Sequence, residues 1–118
     1  MFGLKNEQIE AMNACFEKYP EIDLVIIYGS RARGNYKYNS DIDLAIIANT
    51  ENYKSTWKVE NDLDDLLMPY KIDLSLLTEL DSPELVAHIH KVGKVLYDRK
   101  AKLVMSEPPV DYSARKKG

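Results

Sequence analysis

Ile22-Asp23-Leu24-Val25-Ile26-Ile27-Tyr28 is a run of β-branched and aromatic residues that stops at a glycine. A run this short and apolar reads as a strand, and its near-continuous hydrophobicity points to a sheet covered over much of both faces. Gly29-Ser30-Arg31-Ala32-Arg33-Gly34 follows, a glycine-bounded turn carrying hydroxyl and guanidinium groups. Asn39 and Ser40 then turn the chain into a second strand, Asp41 to Ile47, which opens Asp41-Ile42-Asp43-Leu44. The turn is suited to phosphate and the carboxylate pair to a divalent cation.

The other segments read as scaffold around this unit. Asn6 is a candidate N-cap for a helix to about Tyr19, with Ile9, Met12, Phe16 and Tyr19 at helical spacing and Pro20 closing it. Cys15 and Ala11 widen that apolar face, which makes Cys15 a small core residue and not a nucleophile. A second helix is expected from about Tyr53 to Leu67, bounded by Pro69, and its acidic group Asp62, Asp64 and Asp65 reads as a solvated face. Lys71 to Leu77 alternates as a third strand. Ser82-Pro83-Glu84 has helix-start chemistry for a last helix ending at Gly93, and Lys94 to Tyr97 adds a short edge strand. The alternation of helices and strands predicts an α/β (α+β) fold, a small mixed sheet with helices packed mainly on one face.

Composition narrows the class. At 118 residues, 45% apolar and 30% charged, the chain fits one globular domain. Its N-terminus lacks a secretory layout, no apolar run reaches a membrane-spanning length, and a single cysteine permits no internal disulfide; a reducing, cytoplasmic setting is expected. The net charge of −3 divides into +4 from Arg99 onward and −7 for the preceding body. An acidic body argues against direct nucleic-acid binding, which needs many phosphate-neutralising cations. Residues 1–100 are expected to form the domain and 101–118 a mobile basic tail.

Pleat geometry sets the chemistry. Ile42, Leu44 and Ile46 point one way and Asp41 and Asp43 the other, the two carboxylates about 6–7 Å apart along the strand. In the third strand Asp73 and Ser75 oppose Ile72, Leu74 and Leu76. If the two strands are neighbours with apolar faces aligned, Asp73 joins Asp41 and Asp43. Three carboxylates without a matching histidine or thiol favour Mg²⁺ or Mn²⁺ over Zn²⁺. The competing reading, ordinary exposed aspartates on an amphipathic sheet, must explain why three like charges gather on strands. In the turn, Gly29 allows close backbone approach to a phosphate, Ser30 supplies a hydroxyl, and Arg31 or Arg33 supplies positive charge. Gly29 and Gly34 have the spacing of a Walker A loop, but Asn35 and Tyr36 stand where its Lys and Ser/Thr would be, which excludes that class. His88 and His90 face apart on the last helix. Tyr36 and Tyr38 flank the turn, as structural, partner-contacting or base-stacking residues.

Gly29-Ser30, ten residues and then Asp41-Ile42-Asp43 resembles the signature of the DNA-polymerase-β-like nucleotidyltransferase superfamily. The short chain with Gly-Ser-Arg-Ala-Arg-Gly and Ser-Asp-Ile-Asp-Leu is similar to its minimal nucleotidyltransferase (MNT) branch, over roughly Asn6 to Asp98. The resemblance implies that Gly29 and Ser30 hold a nucleoside triphosphate. It also implies that Asp41 and Asp43 bind two Mg²⁺ ions and that Asp73 completes the metal site and helps activate the attacking hydroxyl. Nucleotide transfer with release of pyrophosphate is the implied reaction.

The resemblance, taken with the chain's size, also bears on the acceptor. Relatives that act on nucleic acid or aminoglycosides carry further domains, so a lone domain must borrow its acceptor surface. MNT proteins commonly pair with a small helical HEPN protein in toxin–antitoxin modules, the MNT member being the antitoxin that transfers AMP to a tyrosine of the toxin. The resemblance therefore implies an ATP-dependent protein adenylyltransferase with a HEPN partner. Two alternatives stand beside it: an antitoxin that acts by binding alone, and a transferase with a small-molecule acceptor.

Overall fold

The computed structural model describes residues 1–51, 53 and 56–104. Helix α1 (Asn6–Glu17) leads into strand β1 (Ile22–Tyr28), the short helix α2 (Gly29–Arg33) and strand β2 (Ile42–Ala48). Helix α3 (Trp57–Asp64), strand β3 (Ile72–Leu76), a 3₁₀ turn at Leu77–Glu79, helix α4 (Pro83–Val92), strand β4 (Lys94–Asp98) and helix α5 (Arg99–Val104) complete it.

The sheet has strand order β3-β2-β1-β4. β1 runs antiparallel to both β2 and β4, while β2 and β3 are parallel. β1 is therefore an interior strand, which accounts for its apolar run. A register shift between Ile22 and Leu24 lets Ile22 share a face with Val25 and Ile27, three and five residues on, where strict alternation would separate Ile22 from them.

Two layers of unequal size cover the sheet. On one face Met12, Cys15 and Phe16 of α1 and Val59 and Leu63 of α3 pack against Val25, Ile27, Ile42, Leu44 and Ile46. Met12, Phe16, Val25 and Ile27 are fully buried, each side chain contributing about 1.5–3 kcal/mol through area removed from water. Cys15 is buried there, and its thiol pKa is pushed up chiefly by that burial, as befits a core residue. On the opposite face α4 brings Ile89 against Tyr28 and Ala45, with Ile26 and Leu85 beside them. α4 thus covers part of the face that also carries Asp43.

Several boundaries differ from the expected ones for local reasons. Lys5, not Asn6, is the N-cap of α1; its backbone N–H donates to the Gln8 side chain at 2.9 Å. α3 is shorter than the sequence pattern, starting at Trp57 and ending at Asp64, and part of its expected first turn lies outside the described residues. Within it Asp62 accepts from the Tyr19 hydroxyl at 2.5 Å and pairs with Lys18 at 3.7 Å, so it joins α3 to α1 instead of standing in solvent. The start of α4 matches its sequence signature: the Ser82 hydroxyl accepts from the Leu85 N–H at 3.2 Å and Pro83 opens the helix. Beyond β4, α5 continues regular structure to Val104, past the boundary expected at residue 100. Arg99 at its start donates to the Ile22 and Tyr19 carbonyls at 2.9 and 2.7 Å. Residues 105–118 of the expected tail lie outside the described residues.

Candidate active site

The parallel register sets Asp73 of β3 directly beside Asp43 of β2, and the antiparallel register sets Tyr28 of β1 on the other side of Asp43. Tyr28, Asp43 and Asp73 thus form one row across three strands. Asp41, two residues before Asp43, lies just outside the strand and is exposed. The expected alignment of β2 with β3 holds: it sets Asp43 beside Asp73 at the end of the sheet where Asp41 precedes β2.

The electrostatics follow the register. Asp43 is half-buried, and its carboxyl pKa is raised first by that burial, then by the charges of Asp73 and Asp41. The Tyr28 hydroxyl is likewise pushed up by burial and by Asp43 and Asp73. Among the described residues, no three His, Cys, Asp or Glu side chains already form a metal-ready group. The donor chemistry nevertheless suits a hard cation: three carboxylates, one of them desolvated, whose mutual repulsion a divalent ion would relieve.

The turn before this row is held against it. Gly29 has φ +74°, and a Cβ there would strike Asp43 Oδ2. Only glycine adopts this conformation and this approach together without strain. Gly29-Ser30-Arg31 forms the first turn of α2, and Gly34 closes that helix at φ +87° with its N–H on the Ser30 carbonyl. Arg33, in the last turn, is exposed and available to an anion.

Arg31 requires correction. The sequence places it beside Ser30 as a phosphate ligand, yet it is 2% exposed. Its Nε and Nη2 donate to the Ser40 carbonyl at 3.1 and 2.8 Å, Nη1 to the Phe2 carbonyl at 2.9 Å, and Nη2 also to the Tyr38 carbonyl at 3.4 Å. Its guanidinium carbon lies 5.3 Å from the Tyr36 ring centroid and 4.6 Å from that of Tyr70. A guanidinium enclosed this way has no face left for a phosphate. Tyr36 is accordingly a packing residue, while Tyr38 is almost fully exposed.

Tyr28 and His88, which no local sequence pattern brings together, meet in the fold. The His88 ring meets the Tyr28 ring edge-on, with centroids 6.5 Å apart, which brings α4 to the border of the carboxylate row. Only the long-range pairing of α4 with β1 reveals this; a strand-end tyrosine has no sequence mark that would single it out. His90 is exposed. A cavity of about 440 Å³ lined by Asn49, Thr50, Tyr53 and Thr78 lies at the other end of β2, away from this chemistry. No helix among the described residues is long and apolar enough to cross a membrane.

Comparison with known proteins fits this geometry. A family model described as polymerase beta, nucleotidyltransferase, matches residues 10–102. Protein adenylyltransferase MntA of Aphanizomenon flos-aquae (strain 2012/KM1/D3) is 34% identical over 91 residues, 69% of this chain and 60% of that protein. The chain therefore spans about 60% of the length of that relative. A crystal structure of a toxin–antitoxin with AMP-PNP superposes with a TM-score of 0.61 at 26% identity, covering 84% of this chain and 77% of that one. A complex of tri-AMPylated Shewanella oneidensis HEPN toxin with MNT antitoxin gives 0.59 at 20% identity, covering 86% and 79% of the two chains, a likeness of fold.

Proposed function

Because this chain belongs to the polymerase-β nucleotidyltransferase family, we propose that it transfers AMP from ATP to a hydroxyl, a tyrosine in our reading, of a HEPN-type helical toxin, and so serves as the antitoxin of a toxin–antitoxin module. The observation that carries the reading is the contact between two half-sites: a glycine turn suited to phosphate, seated directly on Asp43 in the row that includes Asp73. The named activity of the MntA relative supports AMP as the group transferred. The toxin–antitoxin structure with AMP-PNP supports a nucleotide and a protein partner.

In this mechanism the backbone at Gly29 and the Ser30 hydroxyl hold the triphosphate, and Arg33 neutralises part of its charge. Asp41, Asp43 and Asp73 would hold Mg²⁺, or Mn²⁺ in its place, which when bound lowers the pKa of an attacking hydroxyl and offsets charge on departing pyrophosphate. The acceptor oxygen attacks the α-phosphorus in line, forming a new P–O bond as the bond to the β-phosphate bridging oxygen breaks. The hydroxyl proton passes to a carboxylate of the row, for which the exposed Asp73 is placed at the sheet edge. Gly29 keeps the α-phosphate region close to Asp43.

The test is direct. The protein is incubated with labelled ATP, Mg²⁺ and the protein encoded beside it, and the partner is weighed intact and after digestion. An adduct of AMP mass on a tyrosine is expected. Saturating nucleotide with folded protein and no adduct would overturn the transferase reading, and label on a free small acceptor would redirect it.

A further inference from the structure

We propose that Arg31 is a positioning residue for the transfer reaction: buried beneath the site, it ties the phosphate turn to the first catalytic carboxylate. The inference rests on the transfer reading above, and its structural half can be measured independently of it.

The argument begins with the peptide unit. Arg31 directly follows Ser30, so its backbone belongs to the turn assigned to the triphosphate. Its side chain reaches back to the Ser40 carbonyl with two donors, Nε at 3.1 Å and Nη2 at 2.8 Å. The Ser40 carbonyl and the Asp41 nitrogen and Cα lie in one rigid plane, because the peptide bond has partial double-bond character. Two bonds to that carbonyl oxygen therefore restrain where the Asp41 backbone sits. Ser40 is held on its other side by the Lys37–Ser40 turn, its N–H donating to the Lys37 carbonyl at 3.0 Å and its hydroxyl accepting from the Lys37 N–H at 2.8 Å.

Asp41 needs such support. It lies outside β2 and is exposed, whereas Asp43 and Asp73 are fixed by the strand register. The strand pairing that begins at Ile42, whose N–H donates to the Lys71 carbonyl at 2.8 Å, comes one residue too late to hold it. Arg31 supplies the missing restraint from the phosphate side. Its remaining groups bring in other segments: the Phe2 carbonyl from the N-terminal arm, the Tyr38 carbonyl, and the Tyr36 and Tyr70 rings on the guanidinium. The N-terminal arm, the 36–40 loop and Tyr70 thus converge on one cation.

The use of arginine is specific. A planar guanidinium presents five N–H donors in fixed directions and stacks on aromatic rings; a lysine ammonium has the charge without the fork. A residue acting as a simple phosphate counter-charge would be exposed and replaceable by lysine. Arg31 is neither exposed nor, by this argument, replaceable.

The experiment compares wild-type protein with Arg31→Lys and Arg31→Met, the former keeping stem and charge. For Arg31→Lys, kcat for AMP transfer is expected to fall about 10- to 100-fold, the scale of a misplacement near 1 Å, with KM for ATP moving less than about threefold. Hydrogen exchange at the Ser40 amide is expected to accelerate, with the amides in the middle of β1 unchanged. Wild-type kcat and Ser40 protection in Arg31→Lys would overturn the proposal. A rise in KM rescued by lysine would overturn it too, in favour of a direct phosphate contact. Transfer absent from wild type as well would sink the transfer reading, while Ser40 exchange would still decide the clamp. If both variants misfold, the wild-type Arg31 Nε–H decides: a slowly exchanging resonance supports the clamp, a solvent-exchanging one refutes it.

Discussion

Gly29 rests against Asp43 so closely that a methyl group on its Cα would overlap the Asp43 carboxylate oxygen. The turn assigned to phosphate and the central carboxylate are in contact only because one partner has no side chain. If the turn holds phosphate as proposed, the distance from phosphate to the acidic row is set at this point by backbone alone.

A pair of glycine substitutions isolates that contact. Gly29 and Gly34 both have positive φ, at +74° and +87°, but a Cβ on Gly34 meets nothing within 4 Å. Gly34→Ala should therefore cost only the left-handed backbone term, about 1–2 kcal/mol, with transfer largely kept. Gly29→Ala carries the same backbone term and also displaces Asp43, so we expect a loss of kcat of about 100-fold or more. Thermal melts and initial rates on both variants check this. Equal activity in the two would show that the Gly29–Asp43 contact has no part in catalysis.

Asp43→Asn should stabilise the metal-free protein while abolishing transfer. The folded state raises the Asp43 pKa by burial and by the charges of Asp73 and Asp41, so it disfavours the ionised carboxylate. Worked through as linkage, ionised Asp43 lowers stability above the ordinary carboxylate range, and the penalty disappears as pH falls and the folded state keeps its proton. Solvent screening at a half-exposed site keeps the expected gain of Asp43→Asn small near pH 7, and the gain shrinks as pH falls into the ordinary carboxylate range. Melting curves in EDTA read this out; adding Mg²⁺ should raise the wild-type midpoint and leave the variant's unchanged. A variant that melts below wild type in EDTA at neutral pH would contradict the account.

How much of this was legible in the chain depends on range. β1 was readable to the residue because β-branched character and a terminal glycine mark both its nature and its end. Asp73 was recoverable through alternation, a property of its own strand, on the condition that β3 lay beside β2. Arg31 is illegible locally because its neighbours in sequence, Ser30 and Gly34, suggest phosphate, whereas its actual partners are Phe2, Ser40, Tyr36 and Tyr70. Tyr70 is nearly forty residues away, and no local pattern announces a cation–ring contact across that separation. Tyr28 and His88 escaped for the same reason. Asp62 has the local pattern of a solvated charge, but its partner Tyr19 is more than forty residues away in sequence.

That Tyr19–Asp62 bond gives a pH test remote from the site. The Tyr19 pKa is pushed up from 10.0 to about 12, first by its hydrogen bond to Asp62 and then by burial. Below the unfolded value both states keep the proton, so the bond contributes fully. Between about 10 and about 12 the unfolded chain ionises first, and the contribution is lost as pH rises through the folded value. Tyr19→Phe should therefore be less stable than wild type at neutral pH, by about 1 kcal/mol, with the difference shrinking as pH rises toward 12. Denaturant titrations of the two proteins at pH 8 and at several points above 10 make the comparison. A difference that stays constant over that range would remove the bond from the stability account.

Whether the proposed partner is silenced by chemistry or by contact is decided by a double substitution. Asp41→Asn with Asp43→Asn removes two of the three proposed metal ligands and leaves the apolar face, the Arg31 clamp and the exposed Tyr38 untouched. Both carboxamides are close in volume to the carboxylates they replace, and like-charge repulsion is reduced, so the fold and any docking surface should survive. If transfer is the means of neutralisation, the double variant still co-purifies with the partner, leaves it at its unmodified mass, and fails to relieve growth arrest when the two are co-expressed. A variant that binds, adds no AMP and still rescues growth would assign the antitoxin role to contact. Co-purification, intact mass and growth, measured on the same pair of strains, separate the two outcomes, because mass reports the chemistry and growth reports its consequence.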